Sequence, residues 1–217
     1  MLILFDLDGT LIDSEIGILT GVRHSLASVG ADAPDDSILR SWIGPPLRVS
    51  FGELLNGDKE RVETAVAAYT QRFLDVGWSE HTVYPGIPEL ISALAGAGHR
   101  LAVVTSKVRP HADRIIAHLP FGEAFDRIYA PDPSTSRSEK AEMITAALND
   151  FDHVVDDAFM VGDRHFDIKG AVANGVRGIG VLWGFGDREE LEAAGAWRVV
   201  EKPADIAALA GAHVPAT

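Results

Sequence analysis

Four aspartates hold this chain's most reactive arrangement: Asp6 and Asp8 lie two apart near the start, and Asp163 and Asp167 lie four apart far downstream. Carboxylates gathered at one place repel each other unless a cation joins them. Magnesium takes carboxylate and water oxygens in an octahedral shell, often shared with a substrate phosphate. Asp6 and Asp163 are the natural ligands. The main-chain carbonyl of Asp8 and waters would complete the shell, and Asp167 would bind directly or orient a ligand water. Asp6 also suits a nucleophile, because a carboxylate can accept a phosphoryl group covalently and split hydrolysis into two steps. Asp8 would then protonate the leaving oxygen and deprotonate the attacking water. Lys140 offers fixed positive charge during the transfer. Thr105 offers a hydroxyl, and Ser106 opens a turn whose amides face phosphate oxygens. Gly9 permits a tight turn and Thr10 hydrogen-bonds within it, so both join Ser106 as expected substrate-side residues.

Residues so scattered meet only if a fold delivers them. LILFD at 2–6 is a short apolar run ending in acid, as suits a strand buried on both faces. From Tyr84-Pro85-Gly86 onward, strands alternate with helices: strands at 100–105, 127–130, 158–162 and 178–182, helices near 88–96, 110–118, 138–149 and 167–174. That alternation predicts an α/β fold with a doubly wound parallel sheet. Ligands of such sheets bind at the carboxyl ends of the strands. Asp6 and Asp8, Thr105 and Ser106, and Asp163 with Asp167 all follow strand ends, and Lys140 stands at a helix start.

Residues 14–78 read differently. Ile18, Val22, Leu26 and Val29, then Val62, Val66, Tyr69, Phe73 and Val76, recur at helical spacing. Asp35-Asp36 reads as a helix start, and Pro45-Pro46 interrupts the pattern. Trp42, Phe51, Tyr69 and Phe73 are expected to fill the core of this bundle. The reading is a core of residues 1–13 and 84–217 with a small helical cap, 14–83, inserted after the first strand.

Composition narrows the partners. The 217 residues carry a formal net charge of -13 and no cysteine. Such a surface repels nucleic acid and anionic membranes. Disulfides, thiolate catalysis and Cys-based zinc sites are excluded, and no HExxH pattern marks a zinc site. The opening apolar run stops at Asp6, too short for a signal segment or a membrane span. The expectation is a cytoplasmic enzyme acting on a small phosphorylated metabolite.

Asp6-Leu7-Asp8-Gly9-Thr10 resembles the first motif of the haloacid dehalogenase-like superfamily. Thr105 matches its second motif, Lys140 its third, and Gly162-Asp163 with Asp167 its fourth. The resemblance implies an aspartyl-phosphate on Asp6, a magnesium site and a helical cap. Asp8 points away from the dehalogenases, which lack an acid there, and from the ion-pumping ATPases, which carry threonine. Ile43-Gly44-Pro45-Pro46-Leu47, Val83-Tyr84-Pro85-Gly86, Arg137 with Lys140, Gly162-Asp163-Arg164 and the stretch Val181 to Gly186 with Glu189 and Glu190 are similar to the phosphoglycolate phosphatase group. Bacterial relatives similar to 5'-nucleotidases share much of that pattern and are the alternative. A phosphomutase or a non-catalytic binding module ranks lower, since no mutase-type cap is marked and every chemical position is intact. Gly44 to Arg48 is the expected substrate-facing loop, with Arg48 gripping a second anionic group. Arg164 and His165 are read as local support.

Overall fold

The computed structural model describes residues 1–132, 139–152 and 155–214. The chain divides into two compact units, Met1–Ile12 with Val83–Thr217, and Asp13–Thr82.

The first unit is built on strand β1 (Leu2–Phe5), whose four side chains are all fully buried. A strand apolar on both faces must be covered on both, and here it lies in the middle of a six-stranded sheet. The order is β5-β4-β1-β6-β7-β8, with β4 at Arg100–Val104, β5 at Arg127–Tyr129, β6 at Ala158–Gly162, β7 at Arg177–Val181 and β8 at Arg198–Val200. Every pairing is parallel, and Leu2 lies opposite both Arg100 and Ala158. The helices of this unit are α5 (Ile87–Gly96), α6 (Arg109–Ile116), α7 (Lys140–Asp150), α8 (His165–Ala173), α9 (Arg188–Ala193) and α10 (Pro203–Leu209). Leu4, Val104, Met160, Ile144 and Ala171 join the central strands to α7 and α8 in one buried cluster. The sequence reading had no equivalent of β8, α9 and α10. At three, six and seven residues these elements are too short for periodicity to register.

The second unit is helical: α1 (Glu15–Ser28), α2 (Asp36–Ser41), α3 (Leu47–Leu54) and α4 (Lys59–Asp75). Ile18, Val22 and Leu26 of α1 are buried, as are Phe51, Val62 and Phe73, while Trp42 and Tyr69 are half-buried. Trp42 meets Phe51 edge to face at 5.9 Å, the geometry aromatic quadrupoles favour. Asp35 stands at the N-cap position of α2 without a side-chain cap bond, and the Asp58 carboxylate accepts from Arg61 N at 3.2 Å at the start of α4. Arg72 closes the far end with two hydrogen bonds to Glu80, at 2.7 and 2.9 Å. Two short strands, β2 (Ile12–Asp13) and β3 (Thr82–Val83), pair where the chain passes between the units. Among the described residues no helix is long and apolar enough to cross a membrane.

Candidate active site

The carboxyl edge of the sheet gathers the expected residues of the first unit. Asp6 continues the β1 ladder, its N–H donating to Val161 O at 2.9 Å, so its side chain leaves the sheet beside the end of β6. Asp163 follows β6 directly, and Asp167 lies in the first turn of α8. Asp6, Asp163 and Asp167 are all buried, with one oxygen from each within 4.8 Å of the others. Lys140, the first residue of α7, reaches into the group. Its Nζ lies 2.8 Å from Asp6 Oδ1 and 2.7 Å from Asp167 Oδ1, and it donates to Val104 O at 2.9 Å.

One buried ammonium among three buried carboxylates leaves two negative charges uncompensated, and the acidities register the shortfall. Burial, with the Asp167 and Asp8 charges adding to it against the pull of Lys140, pushes the Asp6 carboxyl up to about 7. Burial first, then Asp167 and Asp6, raises the Asp163 carboxyl well above the usual range. Burial by itself would depress the Lys140 ammonium, but the facing Asp167 and Asp6 outweigh it and hold its pKa above the ordinary lysine value. Asp6 Oδ1 and Asp167 Oδ1 meet Lys140 as ion pairs without a well-aligned hydrogen bond. A divalent cation of the oxygen-seeking class fits this set, since it supplies the two missing charges to oxygens that lack directed donors.

The remaining contacts fix the carboxylates. Asp167 Oδ2 accepts from Arg164 N at 3.1 Å, so one residue serves both the helix start and the cluster. Asp163 Oδ2 accepts from Phe185 N at 2.8 Å. Thr10 is fully buried, its hydroxyl lies 3.4 Å from Asp163 Oδ1, and its carbonyl accepts from Trp183 Nε1 at 3.0 Å. The polar atoms of Thr10 thus face Asp163 and the loop after β7. Gly9 has φ 82, and a Cβ there would collide with the Asp163 carboxylate. It serves as the tight-turn residue that the sequence suggests, packed against a carboxylate rather than held open for substrate. A Cβ at Gly184 would strike the Gly9 carbonyl and the Asp163 side chain.

Thr105 is buried at the end of β4, and its Oγ1 accepts from Lys107 N at 3.2 Å, which shapes the turn containing half-buried Ser106. Asp8 does not join the triad. Its Oδ2 lies 3.0 Å from Lys107 Nζ, a lysine the sequence reading passed over. Arg164 and His165 meet Glu190: its Oε1 accepts from Arg164 Nε at 2.9 Å and His165 N at 2.8 Å, and contacts His165 Nδ1 at 2.6 Å. Arg137 lies outside the described residues. Arg48 belongs to the helical unit, where its guanidinium donates to Glu63 at 2.9 and 2.7 Å. That pair is exposed on both sides.

His111 on α6 adds a pH dependence of its own. Burial, with Lys107 second, pushes its imidazole down to about 4 from an ordinary 6.5. A folded value below the unfolded one means that the stability it contributes is complete above pH 6.5 and drains away as pH falls through about 4. At ~1.4 kcal/mol per unit, wild type should lose about 2 kcal/mol more than His111→Gln between pH 7 and pH 4.5. Urea denaturation of both proteins at the two pH values measures it; parallel losses would show that the buried imidazole is not the cause.

The model of the haloacid dehalogenase-like hydrolases matches residues 3–181 of this chain. The chain belongs to that family. A 5'-nucleotidase from Pseudomonas aeruginosa is 43% identical over 191 residues, 88% of this chain and 86% of that protein. Tyrosine-protein kinase PtkA from Mycobacterium tuberculosis is 37% identical over 185 residues, 85% of this chain but 63% of that longer protein. Among solved structures, a predicted phosphatase from Clostridium acetobutylicum superposes with a TM-score of 0.87 at 38% identity, covering 94% of this chain and 95% of that one. Within the haloacid dehalogenase-like hydrolases the enzyme is a phosphoric monoester hydrolase.

Proposed function

We propose that this hydrolase is a magnesium-dependent phosphatase of small organic phosphates that works through an aspartyl-phosphate on Asp6. The observation that carries the reading is the buried cluster of Asp6, Asp163 and Asp167 around Lys140, charge-deficient by one divalent cation. Magnesium held by Asp6, Asp163, Asp167 and the Asp8 carbonyl would supply positive charge to the phosphoryl oxygens. Asp6 attacks phosphorus with one oxygen while the ester P–O bond breaks. Asp8 gives its proton to the departing alkoxide. It then takes a proton from the water that attacks the aspartyl-phosphate, which releases inorganic phosphate and restores Asp6. Thr105 and the amides of the turn after it bind the phosphoryl oxygens, and Lys140 holds Asp6 in place and offsets charge as the group moves. The helical unit is the cap that selects among esters. The chain's acidity keeps nucleic acid and anionic membranes away, and its lack of cysteine suits the cytoplasm.

For the ester, a nucleoside 5'-monophosphate stands ahead of phosphoglycolate. The motifs similar to the phosphoglycolate phosphatase group are shared by relatives similar to 5'-nucleotidases, and Glu63 holds the guanidinium of Arg48, the expected carboxylate partner. The 43% identity to a protein named 5'-nucleotidase supports the nucleotide.

Purified, metal-stripped protein should hydrolyse neither ester, and magnesium should restore turnover. Nucleoside 5'-monophosphates should exceed phosphoglycolate in kcat/KM by about tenfold or more, the selectivity of a few pocket contacts. Magnesium at about 100 times its dissociation constant should also stabilise the fold by ~2.7 kcal/mol, read by denaturation without any substrate. Full activity in excess chelator would overturn the metal's role, and a preference for phosphoglycolate would overturn the substrate.

A further inference from the structure

Asp8 is held by a second lysine. Lys107 sits in the turn between β4 and α6, and its Nζ lies 3.0 Å from Asp8 Oδ2, with 9% of the lysine side chain and 13% of the aspartate side chain exposed. The turn is set by Lys107 N donating to Thr105 Oγ1 at 3.2 Å. The lysine thus ties the loop after β4 to the loop after β1. The other Asp8 oxygen, Oδ1, is buried with no hydrogen-bond partner among the described residues. Asp8 lies close enough to Asp6 for its charge to act on that carboxyl. One oxygen is anchored and the other is left for a transient partner, as a proton carrier between two substrates requires.

We infer that Lys107 is a positioning residue for proton transfer: its ion pair fixes the Asp8 carboxyl so that Oδ1 faces the leaving oxygen and later the attacking water. This rests on the reading of Asp8 as the proton carrier. In the first step the Asp6 oxygen bonds to phosphorus, the ester P–O bond breaks, and the proton on Asp8 goes to the alkoxide. Asp8 becomes an anion as it gives up that proton, and Lys107 is in place to stabilise the charge that develops there. A group held in the productive orientation loses no time or entropy in finding it. Without the lysine the carboxyl can rotate, and its charge has no fixed counterion. Lys107 itself needs no contact with substrate.

A merely structural lysine, or one that binds the phosphoryl group, would affect every ester alike. A lysine that acts through Asp8 affects only those whose leaving group needs a proton. An alkyl phosphate departs as a strongly basic alkoxide and needs it; p-nitrophenolate is stable enough to leave without one. The test is kcat/KM on an alkyl phosphate and on p-nitrophenyl phosphate for wild type, Lys107→Met, Lys107→Arg and Asp8→Asn. This parameter covers steps only through departure of the alcohol, and the ratio of the two esters cancels any misfolded fraction. Asp8→Asn should lower the alkyl-to-aryl ratio by ~10²-fold or more, the usual worth of one general acid. Lys107→Met should lower it in the same sense by roughly tenfold or more, and Lys107→Arg, which can still pair with a carboxylate, should recover most of the ratio. A selective loss in Asp8→Asn with an unchanged ratio in Lys107→Met would overturn the role of Lys107 and leave Asp8 standing. An unchanged ratio in Asp8→Asn would overturn the reading of Asp8, and this inference with it.

Discussion

Asp6→Asn should abolish phosphatase turnover, lowering kcat/KM by at least about 10⁴-fold, while leaving the metal-free fold as stable as wild type or more so. The amide is nearly the size of the carboxylate but has no nucleophilic oxygen anion, so the aspartyl-phosphate cannot form. The stability half follows from the electrostatics. Asp6 is buried beside Asp167 and Asp8, and its carboxyl is pushed up to about 7. Its folded pKa therefore lies above its unfolded one. Such a group favours the fold below its unfolded value and costs stability as pH rises through about 7, where the buried anion must form. Asparagine carries no charge at any pH and escapes that cost. Activity assays paired with denaturation at pH 8 without metal would measure both halves. Turnover within a few-fold of wild type would remove Asp6 as the nucleophile. A large stability loss would show that its neighbours hold the carboxylate more favourably than the cluster's charge implies.

The second large effect should come from Lys140→Met. Lys140 Nζ touches Asp6, Asp167 and the Val104 carbonyl in a site almost closed to solvent. Methionine fills much of the same space but removes the ammonium that Asp6 and Asp167 face, leaving these buried carboxylates without that counterion. Breaking a buried pair on one side costs about 3–5 kcal/mol. The penalty should shrink on acidification, because the carboxylates can escape by protonation, and saturating magnesium should return part of it. Catalysis should fall by ~10²–10³-fold, as for loss of one preorganised group at a transferring centre. Denaturation at pH 8 and pH 5, with and without magnesium, together with kcat/KM, measures the set. A stability change below ~1 kcal/mol at pH 8 would mean that Lys140 does not compensate this cluster.

The parallel sheet was legible because β1, β4 and β6 are short apolar runs, each ending just before a residue with chemical use. The charged cluster was legible for the same reason: Asp6, Thr105 and Asp163 follow strand ends, and Lys140 opens a helix. The supports were harder to see. Lys107 looks in sequence like any solvated lysine at a helix entry, and only the closeness of two loops reveals Asp8 as its partner. The amide of Phe185 that holds Asp163 has no side-chain signature at all. Its trace is the flanking pair Gly184 and Gly186, where a side chain would strike Asp163. Arg48 read as an available cation because its partner, Glu63, lies on the next helix, and i,i+4 pairing rules do not reach that far. Thr10 read as a loop hydroxyl because nothing local shows that Asp163 lies beside it.

The place of β1 in the sheet also sets an order of events during synthesis. Leu2 to Phe5 leave the ribosome well before the strands on either side of them, which begin at Arg100 and Ala158. At roughly 5–20 residues per second the wait is on the order of ten seconds, with a four-residue apolar segment and Asp6 unsheltered. The hydrogen bond from Asp6 to Val161 cannot form until that wait is over. Pairings of such long sequence separation form slowly even in a finished chain. A nascent chain stalled before β6 would therefore carry Asp6 without Val161, Asp163 and Asp167 beside it.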